Sequence, residues 1–248
     1  MLRNGFVVLA CLAVVFGYPA VPHVEDPELT AGYFQGDMKM RINGRNGLKD
    51  SVSYWPNKIV YFNVSESFDD AHYNHIIKGL RIIESVSCIR FLPAQPKTKA
   101  YIYVTDEEGG CFSEVGYLGE PQQLNLALNA LDAGCFRIGT IVHEFLHALG
   151  FFHQQSATDR DDYVTIVEEN LIPELAYNFE KYNDTYITDF GVEYDYGSVL
   201  HYPPISFSNN GLPTIVPKQE GVEIGQRRGL SAKDIYKLNL MYKCPNLS

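Results

Sequence analysis

Residues 143–153 read HEFLHALGFFH, which places three of the chain's seven histidines within eleven residues, spaced 4 and then 6 apart. No other stretch restricts the fold so tightly. On a helix His143 and His147 lie one turn apart on one face, so their imidazoles can converge on one ion. His153 cannot join them if the helix simply continues, because six further residues are about 9 Å of rise and the wrong direction. Gly150 lies between them. A glycine in the left-handed conformation ends a helix and turns the chain back, and that reversal lets the third imidazole return to the first two. Three neutral histidines hold zinc and leave its fourth position open for water, as catalytic zinc requires. Glu144 follows the first ligand directly and can reach such a water as a base. A bare HExxH also arises by chance on structural helices. The added glycine and third histidine make the pattern much rarer, so catalytic zinc is preferred over a helix with incidental histidines.

The N-terminus carries Arg3, an apolar run of about eleven residues from Phe6 to Phe16, and small residues after it. This matches a secretory signal over residues 1–17 and is too short for a bilayer, which takes about 20 residues. No other apolar stretch approaches membrane length, so a secreted, extracellular chain with no membrane span is expected. Cys11 leaves with the signal. Cys88, Cys111, Cys135 and Cys244 remain, an even number suited to two disulfides, with three connectivities open. Sequons begin at Asn63, Asn183 and Asn246, which marks the chain as a glycoprotein. The net charge is −10, from 30 acids against 20 bases, with no basic cluster for phosphates, so no nucleic-acid partner is expected.

Residues 18–45 lack periodic apolar positions and are broken by prolines and glycines, ending in the basic, turn-rich RINGR. They read as a pro-segment. A trypsin-like protease cutting after Arg45, or after Arg41, would leave about 200 residues, a sensible single domain over 46–248. Within it, 58–64 reads as a strand and 69–87 as an amphipathic helix, with apolar residues recurring at 3 and 4. Strand candidates follow at 89–92, 100–105, 112–117 and 122–128, then a helix over 137–149. The rest is loop-rich until Ser231 caps a last helix over 232–242. This pattern predicts an α+β fold of two lobes with a cleft between them. His72 and His75 lack a glutamate neighbour and a helix break, and are expected to be exposed. Asp159, Asp161 and Asp162 lack the glycine and glutamate of a calcium loop and read as a structural hydrogen-bond cluster.

With these motifs in place the sequence resembles the astacin family of metzincin endopeptidases, from Phe34 to Cys244. The resemblance rests on HEFLHALGFFH, Asp159-Arg160-Asp161 with Tyr163, YGSVLHY at 196–202, TIVP at 214–217 and IGQR at 224–227. It implies a zincin-like domain with a mostly parallel, twisted five-stranded sheet, a cleft for extended peptide, and disulfides Cys88–Cys244 and Cys111–Cys135. It also implies that Tyr202 is an extra zinc ligand at rest and stabilises the oxyanion during catalysis. Asp37, in Phe34-Gln35-Gly36-Asp37, would hold zinc in the zymogen in place of the catalytic water. Arg227 would line a pocket for acidic residues just after the scissile bond, with Arg228 the alternative. The edge strand around Phe112 would align substrate by strand addition. The expected partners are protein or peptide substrates and the activating protease, with the chain itself a monomer.

Two positions depart from the family. Gln154 stands where relatives carry a glutamate held to the freed N-terminus, and Ala157 replaces an arginine nearby. The N-terminal anchor is therefore expected to be weaker, since charge-assisted bonds are roughly twice as strong as neutral ones. Leu200 replaces the methionine of the turn beneath zinc, a swap of similar volume that usually costs under about 1.5 kcal/mol. The reading is a secreted zinc endopeptidase made as a latent zymogen. Its alternatives are a catalytically inactive, secreted binding protein and a zinc hydrolase acting on small molecules.

Overall fold

The computed structural model describes residues 26–40, 54–182 and 188–245. The signal segment with Cys11, the cut at Arg41 or Arg45, and the sequon asparagines Asn183 and Asn246 lie outside the described residues.

Helix α1 (Pro27–Thr30) and strand β1 (Met38–Lys39) come first, in a stretch where the sequence offered no periodicity. Then follow β2 (Ile59–Val64), α2 (Asp70–Ser85), β3 (Arg90–Pro93), β4 (Ile102–Thr105), β5 (Cys111–Glu114), β6 (Gln122–Leu126) and α3 (Ile138–Ala148). The second half holds β7 (Val164–Ile166), β8 (Ile215–Pro217) and α4 (Ala232–Met241). The main sheet has the order β1-β5-β6-β4-β2-β3, and every pairing in it is parallel except β5 with β6. It has six strands rather than five because β1 adds itself beside β5. Strands β7 and β8 form a small antiparallel pair in the half expected to be loops.

Periodicity explains the helices. Asp69 caps α2 by accepting from the His72 backbone N–H at 2.8 Å. Ile76, Leu80 and Ile83 turn inward, on the face with Gly79. A side chain at Gly79 would meet Ile141 of α3 at 2.6 Å, so the glycine lets the two helices close up. Helix α3 is buried at every position from Gly139 to Ala148, which is why it reads as apolar nearly all round. Two hydrophobic cores result. The first joins the sheet, α2 and α3 through Val60, Phe62, Ile76, Ile102, Ile141 and Phe145. The second gathers Val164, Tyr194, Tyr202, Phe207, Ile215 and Ile224.

Helix α4 follows the loop-rich half in sequence yet packs on the first core through Leu238, Met241 and Tyr242. The Tyr242 hydroxyl donates to Leu149 O at 2.8 Å, just past the end of α3. Disulfides Cys88–Cys244 and Cys111–Cys135 are both formed, closing separations of 156 and 24 residues. The first fastens the end of the chain to the end of α2. No helix among the described residues is long and apolar enough to cross a membrane.

The two histidines of α2 are not exposed as expected. His72 is half-buried, bonding Asp69 at 2.7 Å and Asn129 O at 3.0 Å. His75 is buried near Phe136, with Nε2 3.5 Å from the Asp132 carboxylate. Both lie where α2 meets Phe136, a contact that spacing along one helix does not reveal.

Candidate metal centre

Helix α3 ends in the reversal that the motif demands. Gly150 has φ of 106°, its N–H donates to His147 O at 2.8 Å, and the Phe151 N–H donates to Leu146 O at 3.0 Å. Those two bonds are a Schellman motif, with glycine at the left-handed position. The returning strand carries His153 back, so that its Nε2 lies 3.2 Å from Nε2 of His143, while His147 Nε2 lies 2.9 Å from the same atom. Asp37 completes the group: its carboxylate is 3.1 Å from His143, 3.5 Å from His147 and 3.3 Å from His153. All four residues are buried.

The chemistry of this donor set identifies what it fits. His143 Nδ1 is 2.8 Å from Val199 O, and His147 Nδ1 is 2.8 Å from Phe151 O. A carbonyl only accepts, so each Nδ1 carries the proton and each Nε2 presents a lone pair. Lone pairs and a carboxylate thus face one another at hydrogen-bond distance. An imidazolium proton would relieve this, but burial opposes it. Burial and the neighbouring histidines hold His147 well below its usual range. Burial, with Arg227 nearby, pulls His153 down to about 3. Three imidazoles and a carboxyl group are a set that tetrahedral zinc accepts. Asp37 Oδ1 has no hydrogen-bond partner among the described residues, as fits an atom aimed at a cation.

Other expected residues surround this point. Both carboxylate oxygens of Glu144 are fully buried and unpaired among the described residues. Burial, then the charge of Asp37, pushes its carboxyl well above the usual range. The Tyr202 hydroxyl donates to Gln35 O at 2.5 Å, and its ring centroid is 4.8 Å from that of His153. Burial holds the phenol neutral, so in this arrangement it is a hydrogen-bond donor. At β5, Met38 and Lys39 pair with Ser113 and Glu114, and the ring of Tyr33 lies 4.5 Å from that of Phe112. Residues 33–39 therefore cover the edge strand that was expected to receive substrate. Of the two arginines, Arg227 is the one whose side chain is buried. Its guanidinium grips the Glu28 carboxylate through Nε at 2.8 and 2.7 Å and through Nη2, whereas Arg228 is exposed and pairs with Glu223. Burial alone would raise the pKa of Glu28, but Arg227, His143 and Arg137 together outweigh it and hold the acid well below the carboxylate range.

The family model of astacin, a family of peptidases, matches residues 47–243. The chain belongs to the astacin family. It is 46% identical over 228 residues to seminal metalloprotease 1 of Drosophila melanogaster, across 90% of this chain and 91% of that protein. It is 35% identical over 257 residues to meprin A subunit beta of Rattus norvegicus, across 96% of this chain but only 35% of that longer protein. Among solved structures it is similar to high choriolytic enzyme 1, a hatching-enzyme zinc protease of Oryzias latipes. That match has a TM-score of 0.71 at 34% identity, covering 82% of this chain and 100% of that one. As a member of the astacin family the chain is a zinc endopeptidase, and the cluster of His143, His147, His153 and Asp37 can hold one metal ion.

The two astacin-family departures take specific forms. Leu200 is buried in the first core, and its carbonyl accepts from the Gln154 N–H at 3.0 Å, so the turn still tethers the residue after His153. The Gln154 side-chain oxygen accepts from Lys237 Nζ of α4 at 2.8 Å. Among the three aspartates, Asp161 bonds Arg160 and Lys181, each at 2.6 Å. Sequence reasoning missed four residues that matter here: Glu28, Gln35, Tyr182 and Asp234. Only Asp234 left a signal, as the third residue after Ser231 in a capping box. Its carboxylate also accepts from Ser198 Oγ at 2.7 Å and the Val199 N–H at 2.9 Å. It thereby fixes the turn whose carbonyl orients His143.

Replacing Asp234 with alanine should strand these buried donors and cost roughly 2–4 kcal/mol of stability. Chelator competition should also strip zinc from Asp234→Ala faster than from the parent, because the His143 ring loses its fixed acceptor. Unchanged zinc retention would show that the turn holds its shape without the carboxylate.

Proposed function

We propose that this astacin-family enzyme is secreted as a latent zymogen, in which residues 18–45 block the zinc site until a trypsin-like protease cuts near Arg45. One observation carries the reading. The Asp37 carboxylate sits among the three histidines while residues 38 and 39 extend the sheet at β5. The same short segment thus takes both a metal position and the strand edge that an extended peptide would use. Glu28 adds a third attachment at Arg227, Arg137 and Thr140. The two disulfides fit an oxidising compartment, and Asn63 is exposed for a glycan. The mature enzyme is taken to act as a monomer.

Zinc, which His143, His147 and His153 would hold, would supply Lewis-acid polarisation and a nucleophilic water at neutral pH. Glu144, adjacent to the first ligand and free of other partners, takes the water's proton on a carboxylate oxygen and delivers it to the leaving amine. Tyr202 already donates to a peptide carbonyl, that of Gln35. With residues 26–40 gone, the same hydroxyl is free to donate to the oxyanion that forms on the substrate carbonyl. The resting role as an extra ligand likewise requires its release from Gln35. Arg227, freed from Glu28, becomes a buried cation that attracts an acidic substrate side chain, and the β5 edge aligns the substrate backbone. Because Lys237 already engages Gln154, the new N-terminus meets an occupied amide rather than a free carboxylate, in keeping with a weaker anchor.

Glu144→Gln should retain one zinc per processed chain and lose casein hydrolysis by at least about a thousandfold, since it removes the base and leaves the ligands. A parent with no hydrolysis despite bound zinc would favour the inactive binding protein instead. Asp37→Ala in the uncut chain should give hydrolysis at roughly a tenth or more of the processed level, as one of the three attachments is lost. Complete latency would assign inhibition to Glu28 and β1 rather than to the carboxylate at the metal.

A further inference from the structure

Gln35 is fully buried, with φ of 49°, a left-handed backbone that glutamine does not favour. Its carboxamide is held at both ends. Oε1 accepts from the Tyr182 hydroxyl at 2.6 Å and faces His153 Nδ1 at 3.1 Å, while Nε2 donates to Ser156 Oγ at 2.7 Å. The amide cannot be turned over. His153 presents Nε2 to the metal cluster, so its Nδ1 carries the proton and needs an acceptor opposite. The ring of Tyr182 lies between Phe152 and Phe34, at 5.1 and 6.4 Å, and Ser156 is fully buried.

His153 differs here from the other two ligands. His143 and His147 bond the backbone carbonyls of Val199 and Phe151, which stay with the processed chain, whereas His153 Nδ1 bonds a side chain of the segment that leaves on activation. Departure of residues 26–40 strips partners from His153 Nδ1–H, the Tyr182 hydroxyl and Ser156 Oγ together. Buried polar groups left unpaired are costly, so the pocket favours a ligand that restores all three bonds. We infer that Tyr182, Ser156 and His153 form a substrate subsite selecting a carboxamide side chain, with glutamine matching the reach of Gln35. Glutamate keeps the acceptor but loses the amide donor to Ser156. Methionine fills the space and satisfies none of the three groups. A site built to hydrogen-bond discriminates strongly against an analogue that cannot.

This inference rests on the proposed activation, and two measurements keep the two separable. The zinc-loaded full chain is processed with trypsin and freed of its pro-segment. It is then assayed on peptides of one frame, with Gln, Glu or Met walked through the positions around the scissile bond. At one position the Gln peptide should show about a tenfold or greater advantage in kcat/KM over Met, carried mainly by KM. In Tyr182→Phe and in Ser156→Ala that ratio should shrink to within about twofold, a comparison internal to each variant. In parallel, the hexapeptide FQGDMK should bind the processed chain about tenfold tighter than FMGDMK, with the difference shrinking in the same variants. Equal cleavage of Gln and Met peptides at every position, or a preference that survives both variants, would overturn the subsite. Binding that depends on Gln without cleavage of any peptide would overturn the hydrolytic reading and uphold the carboxamide pocket.

Discussion

Three imidazole lone pairs directed at one point repel one another unless a cation lies between them, and the rest of this structure is organised to bring them there. Gly150 makes the encounter geometrically available by ending α3 and returning the chain. The carbonyls of Val199 and Phe151 then fix which nitrogen faces inward. Behind Val199 stands Asp234, whose carboxylate joins the cap of α4 to the turn that carries the carbonyl. Helix α4 in turn is fastened to the end of α2 by Cys88–Cys244. The chain's last helix therefore braces its most polar point, which explains why it packs on the first core rather than with the loops that precede it.

The segment 26–40 supplies partners to buried groups of the rest of the chain. Asp37 meets the histidines, Gln35 meets Tyr182, Ser156 and the back of His153, and Glu28 meets Arg227. Strand β1 meanwhile covers the open edge of β5. Each attachment is of a different kind, a carboxylate at the metal cluster, a neutral amide, an ion pair and a backbone ladder. Exposed sheet edges and buried unpaired charges are both unfavourable, so the same surfaces that a substrate must engage are those that most need covering. Under the proposed activation, latency and substrate recognition would share one set of contacts.

Much of this was legible in the sequence because it is local. The 3.6-residue repeat from Tyr73 to Val86 locates α2, and β-rich runs locate β2 to β6, with ends that shift by no more than three residues. The HEFLHALGFFH spacing points to the three histidines that the structure brings together and to the glycine that turns the chain back. What escaped is long-range. Glu28 lies 199 residues from Arg227, and Gln35 lies 147 from Tyr182. No periodicity links such partners. Strand β1 is only two residues long and exists through its partner β5, so it has no pattern of its own. His72 and His75 looked exposed because helical spacing shows which face they share but not that Phe136 lies against it.

X-ray absorption at the zinc edge on the purified, uncut chain tests the central claim most directly. The account predicts one zinc per chain with three imidazole nitrogens at about 2.0–2.1 Å and one carboxylate oxygen at about 2.0–2.2 Å, the carboxylate giving way to water in Asp37→Ala. A metal shell with only two imidazoles, or a chain that takes up no zinc, would contradict it.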